Sequence, residues 1–225
     1  MHNDDDSPSV DLKSLLGLSP SSDLLAAHIS TLCAKANKPD AAVPQVKSYS
    51  DAVYFNYFPL GLSLLFKPIN GYKPKTGLTR DELNDANLVL DGIDIYNVPK
   101  PSTGTSTNAK PSSSTSKPAY VTYPLTPLVL PLSPSSTLPD AKPRPPTLSI
   151  TPSTTGKDFV QSMGEPDRKG GGAGPSSGSI GIWCEWSKDG VMVEFGGDES
   201  RGPQAWERGK DAVWKVISVF PPQTS

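Results

Sequence analysis

The chain has 225 residues, and 21 Lys and Arg against 23 Asp and Glu give a formal net charge of −2, which excludes the basic footprint of a nucleic-acid binder. Twenty-five Pro and 19 Gly, beside a hydrophobic fraction of 35%, mean that part of the chain cannot enter a core. No apolar run approaches the roughly 20 residues that span a bilayer, and two cysteines, Cys33 and Cys184, cannot build a disulfide framework.

Residues 1–10 are polar and acidic and are expected to form a disordered tail. The opening Met1-His2-Asn3-Asp4-Asp5-Asp6 lacks the basic and apolar regions of a secretory signal. A reducing compartment, cytoplasmic or nuclear, is therefore expected, with both cysteines as small buried apolar side chains. Ser21-Ser22-Asp23 forms an N-cap cluster, and Leu25, Ile29, Leu32 and Ala36 recur behind it at helical spacing. That helix should end near residues 35–37, before Pro39 and Pro44. Val53 to Phe66 alternates as a β-hairpin about Pro59-Leu60-Gly61, and Leu88 to Tyr96 makes a further strand.

Residues 99–147 form a Pro/Ser/Thr-rich insert that is expected to be disordered, with an apolar stretch at 119–132 whose prolines allow only an extended segment or edge strand. Order is expected again at Leu148. Thr155 and Asp158 have capping-box spacing before Phe159, Val160 and Met163, Gly164 suits a left-handed C-terminal cap, and Pro166 stops the helix. Lys169 to Ser179 is predicted to be a Gly/Ser-rich loop. Ile182, Cys184 and Trp186 then alternate, Asp189-Gly190 marks a turn, Val191, Val193 and Phe195 alternate beyond it, and a last strand covers Val213 to Phe220.

The hairpins align without gaps, Tyr57–Phe66 on Trp186–Phe195, with Gly61 matched to Gly190. Each follows a helix and precedes a strand, so the order helix, strand, strand, loop, strand occurs twice, at 11–98 and 148–222. The plainer account is that any two alternating hairpins align this well. The predicted fold is α+β: two helix-plus-antiparallel-sheet repeats, joined or not into one curved sheet.

The second unit, with its capped helix ending in Met163-Gly164-Glu165-Pro166, a loop, an aromatic strand, a Gly turn and Val193-Glu194-Phe195, resembles the outer-membrane assembly lipoprotein and β-lactamase-inhibitor-protein-like domains. The chain departs from those families in lacking a lipoprotein signal and the inhibitors' disulfides. The resemblance implies a non-enzymatic domain that binds proteins across its sheet. Phe55-Asn56-Tyr57-Phe58 with Leu60-Gly61 and Leu65-Phe66 is similar to a hairpin of a eukaryotic phagophore-associated assembly-factor family, without the His-Thr-Asn segment expected downstream. It implies the alternative of a trafficking or autophagy-type adaptor with membrane lipids as partner.

Chemistry is sparse. His2 lies in the tail and His28 among core positions of the first helix, so acid–base catalysis and a zinc site lack their usual residues. Asp4-Asp5-Asp6 is better suited to a solvated tail than to a cation site. Lys169-Gly170-Gly171-Gly172-Ala173-Gly174 has its lysine before the glycines and a helix before the loop, the reverse of a phosphate cradle. No catalytic residue, cofactor or metal is expected, and an enzyme acting on a small ligand is the least favoured class. If Ile182, Cys184 and Trp186 face the helix, alternation turns Trp183, Glu185, Met192 and Glu194 to the other face. The first unit turns Tyr54, Asn56, Ser63 and Leu65 the same way, and the closing strands add Tyr96 and Phe220. Tyr54, Tyr96, Trp183, Glu185, Met192 and Phe220 are the candidate partner-binding residues, unless the 119–132 segment or the other repeat covers this face.

Overall fold

The structure, a computed structural model, describes residues 11–98, 119–134, 143–172 and 181–223. Its first half carries helix α1 (Asp23–Ala36) and strands β1 (Gln45–Ser48), β2 (Val53–Tyr57), β3 (Leu62–Pro68) and β4 (Leu88–Tyr96). Strands β5 (Leu128–Pro131) and β6 (Thr147–Ile150) come from the insert and its exit. The second half carries α2 (Gly156–Met163), β7 (Arg168–Gly170), β8 (Trp183–Trp186), β9 (Val191–Phe195), the one-turn helix α3 (Ala205–Arg208) and β10 (Trp214–Val219).

Eight strands form a single antiparallel sheet in the order β1-β2-β3-β4-β10-β9-β8-β7, and β5 pairs only with β6. The fold is α+β, with the halves joined through β4 and β10, where Ile95 opposes Ile217 and Ile93 opposes Val219. In each half the order is helix, edge strand, hairpin, closing strand. The edge strands are the elements that periodicity does not show. Arg168–Gly170 is strand β7 and not the start of a loop, because its backbone pairs with Trp183–Glu185 although its side chains are polar or absent. Calls on residues 1–10, 99–118, 135–142 and 173–180 lie outside the described residues.

One apolar core lies on the helix side of the sheet. Leu25, Ile29, Leu32 and Cys33 of α1 meet inward residues such as Phe55, Leu64 and Phe66, while Phe159 of α2 packs 6.2 Å from the Trp186 ring and 6.0 Å from Phe195. Burying such a side chain stabilises by about 1.5–3 kcal/mol. The predicted capping box forms: Asp158 accepts from the Thr155 N–H and hydroxyl, both at 2.8 Å. Gly164 does have positive φ (79°), but with ψ −169° it is extended and not a left-handed helical cap. Its exposed carbonyl then accepts the Trp186 indole N–H at 2.9 Å, tying the helix end to β8. Ser22 precedes α1 without a side-chain cap bond, and Asn37 ends it at φ 52°.

The insert contributes to this core. Tyr123, Leu128, Leu130 and Leu132 are buried, with Leu148 and Ile150 of β6 beside β5. Both flanks of residues 135–142 are clipped to the buried Asp189 carboxylate. It accepts from the Ser133 backbone N–H at 2.7 Å and from Arg144 at 2.5 Å. Asp189 therefore does more than open the β8–β9 turn.

Candidate functional site: the sheet face opposite the helices

Strand registers place the outward residues of all eight strands in rows. The central row reads Gln45, Asn56, Ser63, Asp94, Ser218, Met192, Glu185 and Arg168 from edge to edge. Seven of these eight are polar or charged, with Met192 the exception, so this face was never built to be a second core. Tyr96, Val216, Glu194 and Trp183 lie opposite one another in the row on one side, and Tyr54 and Leu65 in the row on the other.

The central row satisfies its own hydrogen bonds. Asn56 donates through Nδ2 to the Gln45 carbonyl (3.0 Å) and accepts the Ser63 hydroxyl at 3.1 Å. Ser218 donates to Asp94 at 2.6 Å. Burial pushes the Asp94 carboxyl above the usual carboxylate range, against the Ser218 bond that favours the charged form, with Glu194 pushing the same way as burial. Glu185, only 7% exposed, accepts the Ser187 hydroxyl at 2.7 Å and pairs with Arg168 at 3.3 Å. It faces outward as its register requires, but its carboxylate is already engaged inside the molecule.

The aromatic candidates are half-buried. Trp183 lies across edge strand β7: a Cβ on Gly170 would come within 2.6 Å of the indole, so the glycine makes room for the ring. Tyr54 meets Tyr49 edge-on, with ring centroids 6.2 Å apart. Met192 and Phe220 are likewise half-buried, the Phe220 N–H donating to the Gly190 carbonyl at 2.9 Å. Tyr96 is the candidate that the insert reaches. Tyr120 stacks on it at 3.7 Å with planes 4° apart, lies 4.5 Å from the Phe58 ring and donates its hydroxyl to Asn56 at 2.6 Å. Burial foremost, with Asp94 next, pushes the Tyr96 phenol upward.

The 119–132 segment thus covers one corner with Tyr120 and then leaves the face. The Tyr123 N–H bonds the Tyr96 carbonyl at 2.9 Å, and its hydroxyl reaches His28 of α1 at 3.2 Å on the opposite side of the sheet. Gly61 stands at this crossing: at φ 59°, a Cβ there would lie 2.2 Å from the Val121 carbonyl oxygen. Of the Phe55-Asn56-Tyr57-Phe58 run, Phe55 and Tyr57 are in the core, Asn56 is in the polar row and Phe58 packs on Tyr120. The site residues that sequence alone did not single out are Tyr120, Asp94 and Ser218. The alternating Ser63, Asp94 and Ser218 of three strands carried the signal, but pairing β4 with β10 is what brings them into line.

Among the described residues, no group of three His, Cys, Asp or Glu side chains gathers to hold a metal, and no helix is long and apolar enough to cross a membrane. Cys33 and Cys184 are free and buried, and burial raises the Cys184 thiol to about 11, away from a reactive thiolate. Comparison of the chain with protein-family models, with curated proteins and with solved structures gives no match.

Proposed function

We propose that the protein is a non-enzymatic protein–protein interaction module that binds its partner on the sheet face opposite the helices. The observation that carries this reading is the half-buried set Tyr54, Trp183, Met192 and Phe220 around a polar row whose hydrogen bonds are already made. Aromatic and Met side chains supply contact area, and a satisfied polar row adds no unpaired group to the cost of covering the face. Glu185 drops to a supporting role, and Tyr96 contributes only through its stack with Tyr120. The same reading takes the halves as tandem repeats of one unit, supported by their shared element order and by positive φ at both Gly61 and Gly190.

The test is quantitative affinity capture with wild type, Trp183→Ala, Tyr54→Ala and, as a distant surface control, Val43→Ser. A central aromatic commonly contributes ~2 kcal/mol or more to an interface, about 30-fold in affinity. Proteins retained by wild type and the control should be lost from both face variants, and a purified partner should protect β8 and β9 from hydrogen exchange. Retention of the same proteins by every variant would refute the reading.

A further inference from the structure

On the helix side, away from the proposed interface, α2, β7 and α3 enclose an open groove of about 320 Å³. Its floor is apolar: Val160, Ile182, Cys184, Phe195 and Trp206 line it. Two glycines let the walls close over that floor. A Cβ on Gly156 would lie 2.3 Å from the Gly209 carbonyl oxygen, and one on Gly209 would lie 2.2 Å from Cδ1 of Ile182. Lys157, Val160 and Gln161 stand at i, i+3 and i+4 of α2, one stripe that looks into the groove while Phe159 and Met163 face the core. Val160 and Trp206 are also exposed to solvent, Trp206 by 43%.

The rim is strongly one-signed. Lys157, Lys169 and Lys210 line it against a single carboxylate, Glu165. Among the described residues none of the three lysines takes part in an ion pair. The Lys169 ammonium lies 5.6 Å from the Trp206 ring centroid, a cation–π contact that holds the charge at the groove mouth. Ammonium groups only donate hydrogen bonds, so the complement of this rim is an anion and the complement of the floor is hydrocarbon or an aromatic ring. The volume is at the lower end of small-molecule sites, which run from ~300 to ~1,000 Å³, and suits one chain or ring.

We propose that this groove binds a small amphipathic monocarboxylate, its apolar body on the Val160–Ile182–Phe195–Trp206 floor and its carboxylate among Lys157, Lys169 and Lys210. The test titrates the full chain with monomeric dodecanoate, dodecanol and dodecyltrimethylammonium, read by calorimetry and by amide chemical shifts. Dodecanoate should bind with one-to-one stoichiometry, at least tenfold tighter than the alcohol, with the cation weakest and the shifts confined to α2, β7, β8 and α3. Replacing Lys157, Lys169 and Lys210 together by Gln should weaken dodecanoate at least tenfold and leave dodecanol unchanged. All three lysines are exposed, so this variant should keep the wild-type melting temperature. Absence of saturable binding, equal affinity for the acid and the alcohol, an unaffected triple variant or shifts on the opposite sheet face would each overturn the proposal. None of these outcomes depends on whether the sheet face binds a protein.

Discussion

His28 is 2% exposed, in the middle of α1, with Nδ1 unpartnered and Nε2 3.2 Å from the Tyr123 hydroxyl. Burial lowers its pKa from 6.5 to about 4. In the unfolded chain the same imidazole titrates near ~6.5, so between that pH and about 4 unfolding takes up a proton. Stability therefore falls as pH falls through this window, and the contribution is complete above the unfolded pKa. At 1.36 kcal/mol per pH unit, lowering pH from 7 to 5 should cost about 2 kcal/mol at this one site. Asp94, with its carboxyl pKa raised, works the other way, since the native state takes its proton first as the solution is acidified. The two are separated by comparing wild type with His28→Gln, which keeps a polar partner for Tyr123 and cannot charge. Urea unfolding at pH 7 and pH 5 should show the variant losing about 2 kcal/mol less than wild type on acidification, with equal slopes in urea. Parallel losses, or an imidazole titrating near 6.5 by NMR, would refute the reasoning.

Trp186→Ala should lower stability by ~3–5 kcal/mol, measured by chemical denaturation, because it empties a buried ring site and frees the Gly164 carbonyl, whereas Trp183→Ala should cost under ~1 kcal/mol. The reverse order would show β8 to be inside out. Asp189→Ala removes the shared partner of Ser133 and Arg144, and losing hydrogen bonds to a charged group typically costs ~1.5–3 kcal/mol. Limited proteolysis should then cut between residues 132 and 147 far faster than in wild type, and an unchanged cutting rate would mean that the clip does not hold the insert. Deleting residues 101–116 should leave the melting temperature within a few degrees of wild type, since loop closure depends weakly on length. A large drop would show that this stretch packs.

Elements with a repeating apolar period were legible in the sequence, and elements held only by backbone pairing were not. Phe55 opposite Leu64, or Cys184 opposite Val193, announces a strand because alternation puts one residue in two into the core. Edge strands β1 and β7 contribute almost nothing to the core. Gln45, Lys47, Arg168 and Lys169 therefore read as loop, and only the partners' unpaired backbone groups call for them. The insert was half legible: its apolar stretch foretold an extended segment, but nothing local says that Tyr120 returns to one face of the sheet while Tyr123 reaches the other. Those contacts span 64 residues from Tyr120 to Asn56 and 95 from Tyr123 to His28.

The face assignment itself rests on two interruptions that plain alternation would have missed. In β4, Leu88 and Leu90 are buried and so are Ile93 and Ile95, a spacing of three at the centre that strict alternation forbids. The pairing resolves it: Leu65 opposes Gly92 and Phe66 opposes Leu90, leaving Asp91 as the extra residue of a bulge. In β10, Trp214 and Ile217 are both buried at the same spacing, and Lys215 is the extra residue between Trp214 opposite Phe195 and Val216 opposite Glu194. Each bulge resets the phase by one residue, which keeps both ends of a closing strand in the core. Without the second, Trp214 would turn outward or Ser218 inward, and the hydroxyl that meets Asp94 would face the apolar core. The polar row across the sheet, on the face opposite the helices, exists because both closing strands break the two-residue period once.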